Sequence, residues 1–191
     1  MVTSFQVIVG AWIIFWVFLY VPLLFNRVPT RRRSGEYVRQ TLILVLAAWL
    51  LLLVLGWLVP GSLSLRIVPD TPAAGMAGVI LTLVGLGFSA FSRLHLGRNW
   101  SNIPAIKAGQ QIVRTGPYRY VRNPMYTGIL VALLGAVIAT GVLLSFLVFG
   151  VIVIAIWIKI RAEEQILLET FGEEYLDYRG EVKAALIPFV V

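Results

Sequence analysis

Four stretches of this chain carry no charged residue: 1–26, 40–65, 71–92 and 123–158. A helix crossing a hydrocarbon core needs about 20 apolar residues, and each of the first three stretches supplies one such helix. As one straight helix the fourth would be roughly 54 Å long at 1.5 Å per residue, against a core of about 30 Å. Thr140-Gly141 stands at its centre, so this stretch reads as a helical hairpin of two short spans. The chain is therefore expected to be an all-α integral membrane protein with five transmembrane helices. Composition agrees, with 59% of residues hydrophobic and 13% charged. Soluble domains carry about a quarter charged residues, so there is too little polar material here to coat a water-soluble particle.

Five spans put the termini on opposite faces, and the basic residues decide which face is which. With the N-terminus outside, Arg27, Arg31, Arg32, Arg33, Arg39, the 93–122 segment and everything after 158 lie in the cytoplasm. Of the 16 basic residues only Arg66 is then left outside. The net charge of +7 is explained by this topology, and no nucleic-acid partner is implied. The first span has no basic segment before it and no small-residue cleavage site, so it is expected to be a retained span and not a signal peptide.

The extramembrane mass is small. One short loop, 61–72, lies outside, and the 26–40 loop, the 97–123 loop and the 161–191 tail lie inside. The tail holds seven of the nine acidic residues, and Leu168, Phe171, Tyr175 and Tyr178 recur in it at helical spacing. It reads as a C-terminal amphipathic helix lying against the cytoplasmic face. There is one membrane domain, 1–191, with three spans in 1–96 and the hairpin and tail in 97–191.

Residue types narrow the chemistry further. The chain has no cysteine and one histidine, His95. Thiol nucleophiles, iron–sulfur clusters and a structural zinc site lack their ligands, and no metal is expected. Polar groups gather where the hairpin enters and leaves the membrane: Thr115-Gly116-Pro117-Tyr118-Arg119-Tyr120-Val121-Arg122-Asn123-Pro124-Met125-Tyr126 at one end, Lys159-Ile160-Arg161-Ala162-Glu163-Glu164 at the other. A hairpin returns the chain to its starting level, so Arg122 is expected to meet Glu163 and Glu164. Pro117 and Pro124 shape the first segment as a loop running into a helix, with Tyr118, Tyr120 and Tyr126 around its entrance. Carboxylates next to an apolar span need partners. Adjacent helical residues point about 100° apart, so one glutamate can hold a ligand while the other braces an arginine. A ligand suited to this set has a cation, an anion and a flat ring. S-Adenosylmethionine has all three, although an amino acid or a phospholipid headgroup satisfies much of the same set.

Gly116-Pro117-Tyr118, Arg122-Asn123-Pro124-Met125-Tyr126, Glu163-Glu164 and Phe171-Gly172-Glu173-Glu174-Tyr175 with Tyr178 resemble the isoprenylcysteine carboxyl methyltransferase family, whose wider superfamily includes phospholipid N-methyltransferases. The resemblance runs from Leu96-Gly97-Arg98-Asn99-Trp100-Ser101 to Ile187-Pro188. It implies a cytoplasmic catalytic loop with S-adenosylmethionine bound beneath the C-terminal helix as a lid, and an acceptor entering laterally from the lipid. Carried over by position, Tyr118, Arg122, Asn123 and Tyr126 would line the cofactor pocket. Glu163 and Glu164 would receive the cofactor's amino group or brace the arginine, and backbone around Ile112 and Val113 would contact the nucleoside. Arg122 would also have a catalytic role, holding an acceptor carboxylate. Many relatives have histidine where this chain has Asn123, and asparagine cannot act as a base near neutral pH. His95 matches no catalytic position of the family and is taken as a helix-end residue at the interface.

The expected activity is S-adenosylmethionine-dependent methyl transfer to a lipophilic acceptor: a prenylcysteine-like carboxylate, a lipid amine or a small thiol. The expected partners are that lipophilic or lipid substrate and the bilayer. The contrasting reading is a membrane ligand-binding protein or small transporter on the same fold. Charge-free spans weigh against a polar path at midplane. Arginine in excess of lysine and the lack of cysteine fit a prokaryotic plasma membrane.

Overall fold

The structure is a computed structural model that describes residues 3–25, 65–99 and 111–186. It is helical: α1 (Ser4–Phe25), α2 (Pro72–Leu96), α3 (Pro124–Thr140), α4 (Leu143–Phe171) and α5 (Glu173–Glu181), with 3-10 turns at Gly97–Asn99 and Gly116–Arg119. Two of these helices, α2 and α4, are long and apolar enough to cross a membrane. The 26–40 loop and, except for Leu65, the apolar stretch 40–65 lie outside the described residues, as do Trp100, Ser101 and Ile187-Pro188.

Helix boundaries follow from local chemistry. Thr3 and Gln6 exchange side-chain bonds with each other's backbone N–H groups at 3.3 and 2.8 Å, a capping box that starts α1. Thr71 caps α2 by accepting from the Ala74 N–H at 3.2 Å, and Pro72 follows at a position where its missing N–H costs nothing. Pro124 opens α3 in the same way. Gly141, left-handed at φ 69°, ends α3 by donating its N–H to Val137 O.

The turn of the hairpin is clamped from outside. The Ile67 and Val68 N–H groups both donate to Gly141 O, at 2.7 and 3.1 Å, and Leu143 N–H donates to Leu65 O at 2.8 Å. The ladder position between them pairs Arg66 with Val142. A side chain at Gly141 would run into Val68 O, so both the backbone angle and the clamp require glycine there.

The tightest packing is between α2 and α3, which run antiparallel with their backbones almost touching. A Cβ at Gly85 would lie 2.4 Å from Ala132 N, one at Gly78 2.6 Å from Gly135 O, and one at Gly128 2.6 Å from Gly85 O. Thr82 donates across this seam to Ala132 O at 3.1 Å. Lipid tails are as apolar as leucine, so close backbone contact and interhelical hydrogen bonds drive such association in place of the hydrophobic effect. Phe15 and Leu19 of α1 pack onto the seam at Leu86 and Ala132.

By contrast, α4 buries only Ile160 and Glu164 and turns Leu147, Ile154, Trp157 and Ile158 outward. It also corrects the sequence reading of the tail. The helix does not stop near 158 but runs unbroken to Phe171, because no breaker occurs before Gly172. There φ is 53° and the chain turns into α5. Tyr175 and Tyr178 of α5 are 2% and 4% exposed. They pack against Ile112, Leu167, Leu168, Phe171 and Val182, so this face of the tail is turned into the protein and does not lie on the membrane.

The seam predicts opposite signs for two alanines on one helix. Gly85→Ala should lower thermal stability in detergent by about 1–3 kcal/mol, since the added methyl meets backbone that cannot yield. Gly87→Ala meets nothing within 4 Å and should raise stability by up to about 1 kcal/mol through helix propensity. Parallel unfolding curves check the pair, and equal shifts would refute close contact at the seam.

Candidate functional site

The site is built at the polar end of the hairpin, where three segments distant in sequence converge. Arg122 donates from Nε to Glu164 Oε1 at 2.7 Å and from Nη1 to the carbonyls of Val182 and Lys183, both at 2.7 Å. The two ionic side chains are 7% and 8% exposed. At the neighbouring glutamate, the Tyr126 hydroxyl donates to Glu163 Oε1 at 2.7 Å, and Lys159 Nζ lies 5.5 Å above the Tyr126 ring. Arg122 was expected to meet both glutamates; it pairs with Glu164, while Glu163 is bonded to Tyr126.

The tail holds the loop in a way the sequence did not announce. Residues 182–186 form an extended strap along the start of α3. Arg122 N–H donates to Ala184 O at 3.0 Å, Asn123 N–H to Ala185 O at 3.1 Å, and Asn123 Nδ2 to Ala185 O at 3.2 Å. The Thr127 hydroxyl donates to Leu186 O. Asparagine at 123 thus has a structural task that its amide suits, and Nε and Nη1 of Arg122 are committed within the protein. Nothing in the run Val182-Lys183-Ala184-Ala185-Leu186 names α3 as its partner.

The tyrosines separate. Tyr118 is buried at the Gly116–Arg119 turn, Tyr126 is half-buried, and Tyr120 is 63% exposed. The Tyr178 hydroxyl donates to Tyr118 O at 2.8 Å, tying α5 to the loop. Burial, the main cause in each case, pushes the Tyr118, Tyr175 and Tyr178 phenols above the ordinary tyrosine range. They stay neutral near pH 7 and offer flat apolar faces, with the Tyr118 and Tyr178 hydroxyls as donors.

Ile112 packs into the Tyr175–Tyr178 cluster, and Val113 beside it is half-buried. Arg114 completes the attachment of α5, donating to Glu181 Oε1 at 2.9 Å and Glu174 O at 2.8 Å with its guanidinium 5.9 Å above the Tyr178 ring. Asn99 Oδ1 accepts from Gln111 N–H at 3.0 Å. Sequence reasoning did not single out Arg114 or the strap, whose partners lie far along the chain, and it took Tyr175 only as part of the tail pattern and His95 only as a helix-end residue.

Chemically, this end of the molecule offers a carboxylate oriented by a tyrosine hydroxyl, neutral aromatic faces and a shielded arginine–glutamate pair. No group of three or more histidine, cysteine or acidic side chains able to hold a metal occurs among the described residues.

Comparison with known proteins places the chain in a family. The family model for phospholipid methyltransferases matches residues 73–174. A protein-S-isoprenylcysteine O-methyltransferase of Schizosaccharomyces pombe is 32% identical over 96 residues, covering 49% of this chain and 41% of the relative. Its Saccharomyces cerevisiae counterpart is 28% identical over 126 residues, 63% of this chain and 51% of the relative. Methanethiol S-methyltransferase 1 of Bradyrhizobium diazoefficiens is 39% identical over 72 residues, 38% of this chain and 24% of the relative. The chain thus spans about half the length, or less, of these curated relatives. Its fold is similar to that of the eukaryotic intramembrane Ras methyltransferase, isoprenylcysteine carboxyl methyltransferase, with a TM-score of 0.58 at 21% identity over 98% of this chain and 68% of the other. Since the family model covers more than half of the chain, and the relatives agree with the motifs that resemble isoprenylcysteine carboxyl methyltransferases, the protein belongs to the phospholipid methyltransferase family.

Proposed function

We propose that the protein is an S-adenosylmethionine-dependent membrane methyltransferase acting on a lipophilic acceptor from the cytoplasmic side of a five-span fold. The observation that carries this reading is the division of labour between adjacent carboxylates: Glu164 is consumed by Arg122, while Glu163 is oriented by Tyr126. Bound there, S-adenosylmethionine supplies a methyl group on a sulfonium. The residues present suit it: Glu163 for the α-ammonium, and Tyr118 and Tyr126 as aromatic faces for the soft cation and the ring. Ile112 and Val113 offer backbone beside them.

Arg122 acts in this scheme as a positioning residue. Its bonds to Glu164 and the strap fix the loop, so that Tyr126 and Asn123 keep their places. The protein's contribution to rate is then alignment and exclusion of water, together worth up to about 7–11 kcal/mol for a well-oriented pair. A carboxylate or thiolate acceptor needs no base, in keeping with Asn123 at a position where relatives have histidine. Charges are absent from the apolar lengths of α1, α2, α3 and α4, which favours an enzyme over a solute path.

The donor site is tested by calorimetry with S-adenosylhomocysteine on the detergent-purified chain. Wild type is expected to bind in the micromolar range and Glu163→Gln to lose at least about tenfold, the worth of one charge-assisted bond, at unchanged melting temperature. A Glu163→Gln protein that binds like wild type would refute the pocket. Glu164→Gln should instead lower stability by about 3–5 kcal/mol, because it strands a buried guanidinium. Arg122→Gln should impair turnover far more than Arg31→Gln, which alters only the positive-inside balance, and equal effects would remove the distinction.

Orientation has its own check, because the chain is free of cysteine. In intact cells a membrane-impermeant thiol reagent should label Ser62→Cys and spare Ser34→Cys. The reverse pattern would invert the topology.

A further inference from the structure

His95 is the chain's single histidine, and it sits in the last turn of α2 next to Leu96, the final residue of that helix. Its surroundings are unusual for an exposed side chain at a helix end. Nε2 lies 2.9 Å from Thr115 Oγ1, twenty residues further along the chain. The imidazole stacks on Tyr118 with ring centroids 6.4 Å apart and planes 21° from parallel, and Phe91 flanks it at 6.2 Å. Gly116 has φ +59°, and a Cβ there would lie 2.6 Å from both Cε1 and Nε2 of His95. The space a side chain at 116 would fill is therefore filled by the imidazole.

These contacts all fall on one short turn. Thr115, Gly116 and Tyr118 meet the same ring, while Tyr118 is fixed elsewhere by its hydroxyl on Ser92 O at 3.4 Å and by the Tyr178 hydroxyl on its carbonyl at 2.8 Å. The loop has α5 on one side and His95 on the other. We propose that His95 is a positioning residue of the methyl-transfer site, holding Thr115-Gly116-Pro117-Tyr118 in the conformation that presents Tyr118 to the methyl donor. This rests on the donor pocket proposed above. No proton need move: either neutral tautomer makes the bond to the threonine hydroxyl, as donor or as acceptor. The role also gives Gly116 two reasons to be glycine, a left-handed backbone and the imidazole packed against it.

Removing the hydrogen bond while keeping an aromatic ring should loosen the turn and weaken the donor, leaving the acceptor untouched. The full chain in detergent is titrated with S-adenosylhomocysteine as wild type, His95→Phe, Thr115→Val, the double variant and His95→Gln, whose amide reaches the place of Nε2. His95→Phe and Thr115→Val are each expected to weaken binding about tenfold, the upper end for one side-chain hydrogen bond. The double variant should be no worse than either single one, the mark of a shared interaction, and His95→Gln should stay close to wild type. In turnover, donor KM should rise while acceptor KM holds. Unchanged affinity in both single variants, additive losses, or a fall in kcat at constant donor KM would each overturn the positioning role. A wild type that fails to bind S-adenosylhomocysteine would overturn the donor pocket itself and this role with it.

Discussion

The bond between Arg122 and Glu164 is the interaction on which the polar end of this molecule depends. It is a 2.7 Å charge-assisted contact between two side chains almost removed from water. An isolated charge in such a place costs several kcal/mol, and the pair tolerates burial because the same guanidinium also satisfies the carbonyls of Val182 and Lys183. One arginine thereby ties the entrance loop to the end of α4 and to the tail. Further links, Asn123 to Ala185 and Tyr178 to Tyr118, run between segments this bond has already brought together.

The rest of the fold delivers those segments to one level. Glycines on α2 and α3 let two backbones meet, which makes that seam the rigid half of the molecule. The second arm of the hairpin is held differently. It is fastened at the turn by residues 65–68 and at the far end by Glu163 and Glu164, with an outward-facing apolar length between. A helix attached at its ends and apolar along its outer side suits lipid contact, and it leaves the stronger polar forces to act only where the proposed chemistry takes place.

Adjacent glutamates with unlike partners account for how one short motif can serve both stability and ligand binding. Glu164 is consumed in holding the structure, while Glu163 accepts the Tyr126 hydroxyl on one oxygen. The helical 100° between neighbours makes this separation automatic. Three neutral tyrosines around them supply flat faces without adding charge to a site that already contains a buried ion pair. On the other side of the loop, His95 and Gly116 fit one another in the manner of a side chain and its socket.

The sequence by itself determined the membrane character, the break at Thr140-Gly141 and the meeting of Arg122 with the far end of the hairpin, where the glutamates lie. Each of these follows from local rules: apolar length, a glycine free to adopt positive φ, and the return of a hairpin to its starting level. Tertiary structure decided the rest. That Glu164 and not Glu163 takes the arginine depends on helix rotation, which a spacing of one residue does not encode. The strap of 182–186, the anchoring of α5 by Arg114 and the socket around His95 are contacts across 20 to 67 residues between side chains or carbonyls of ordinary type. Nothing in their own neighbourhoods marks them, because what selects them is the position of the opposite surface.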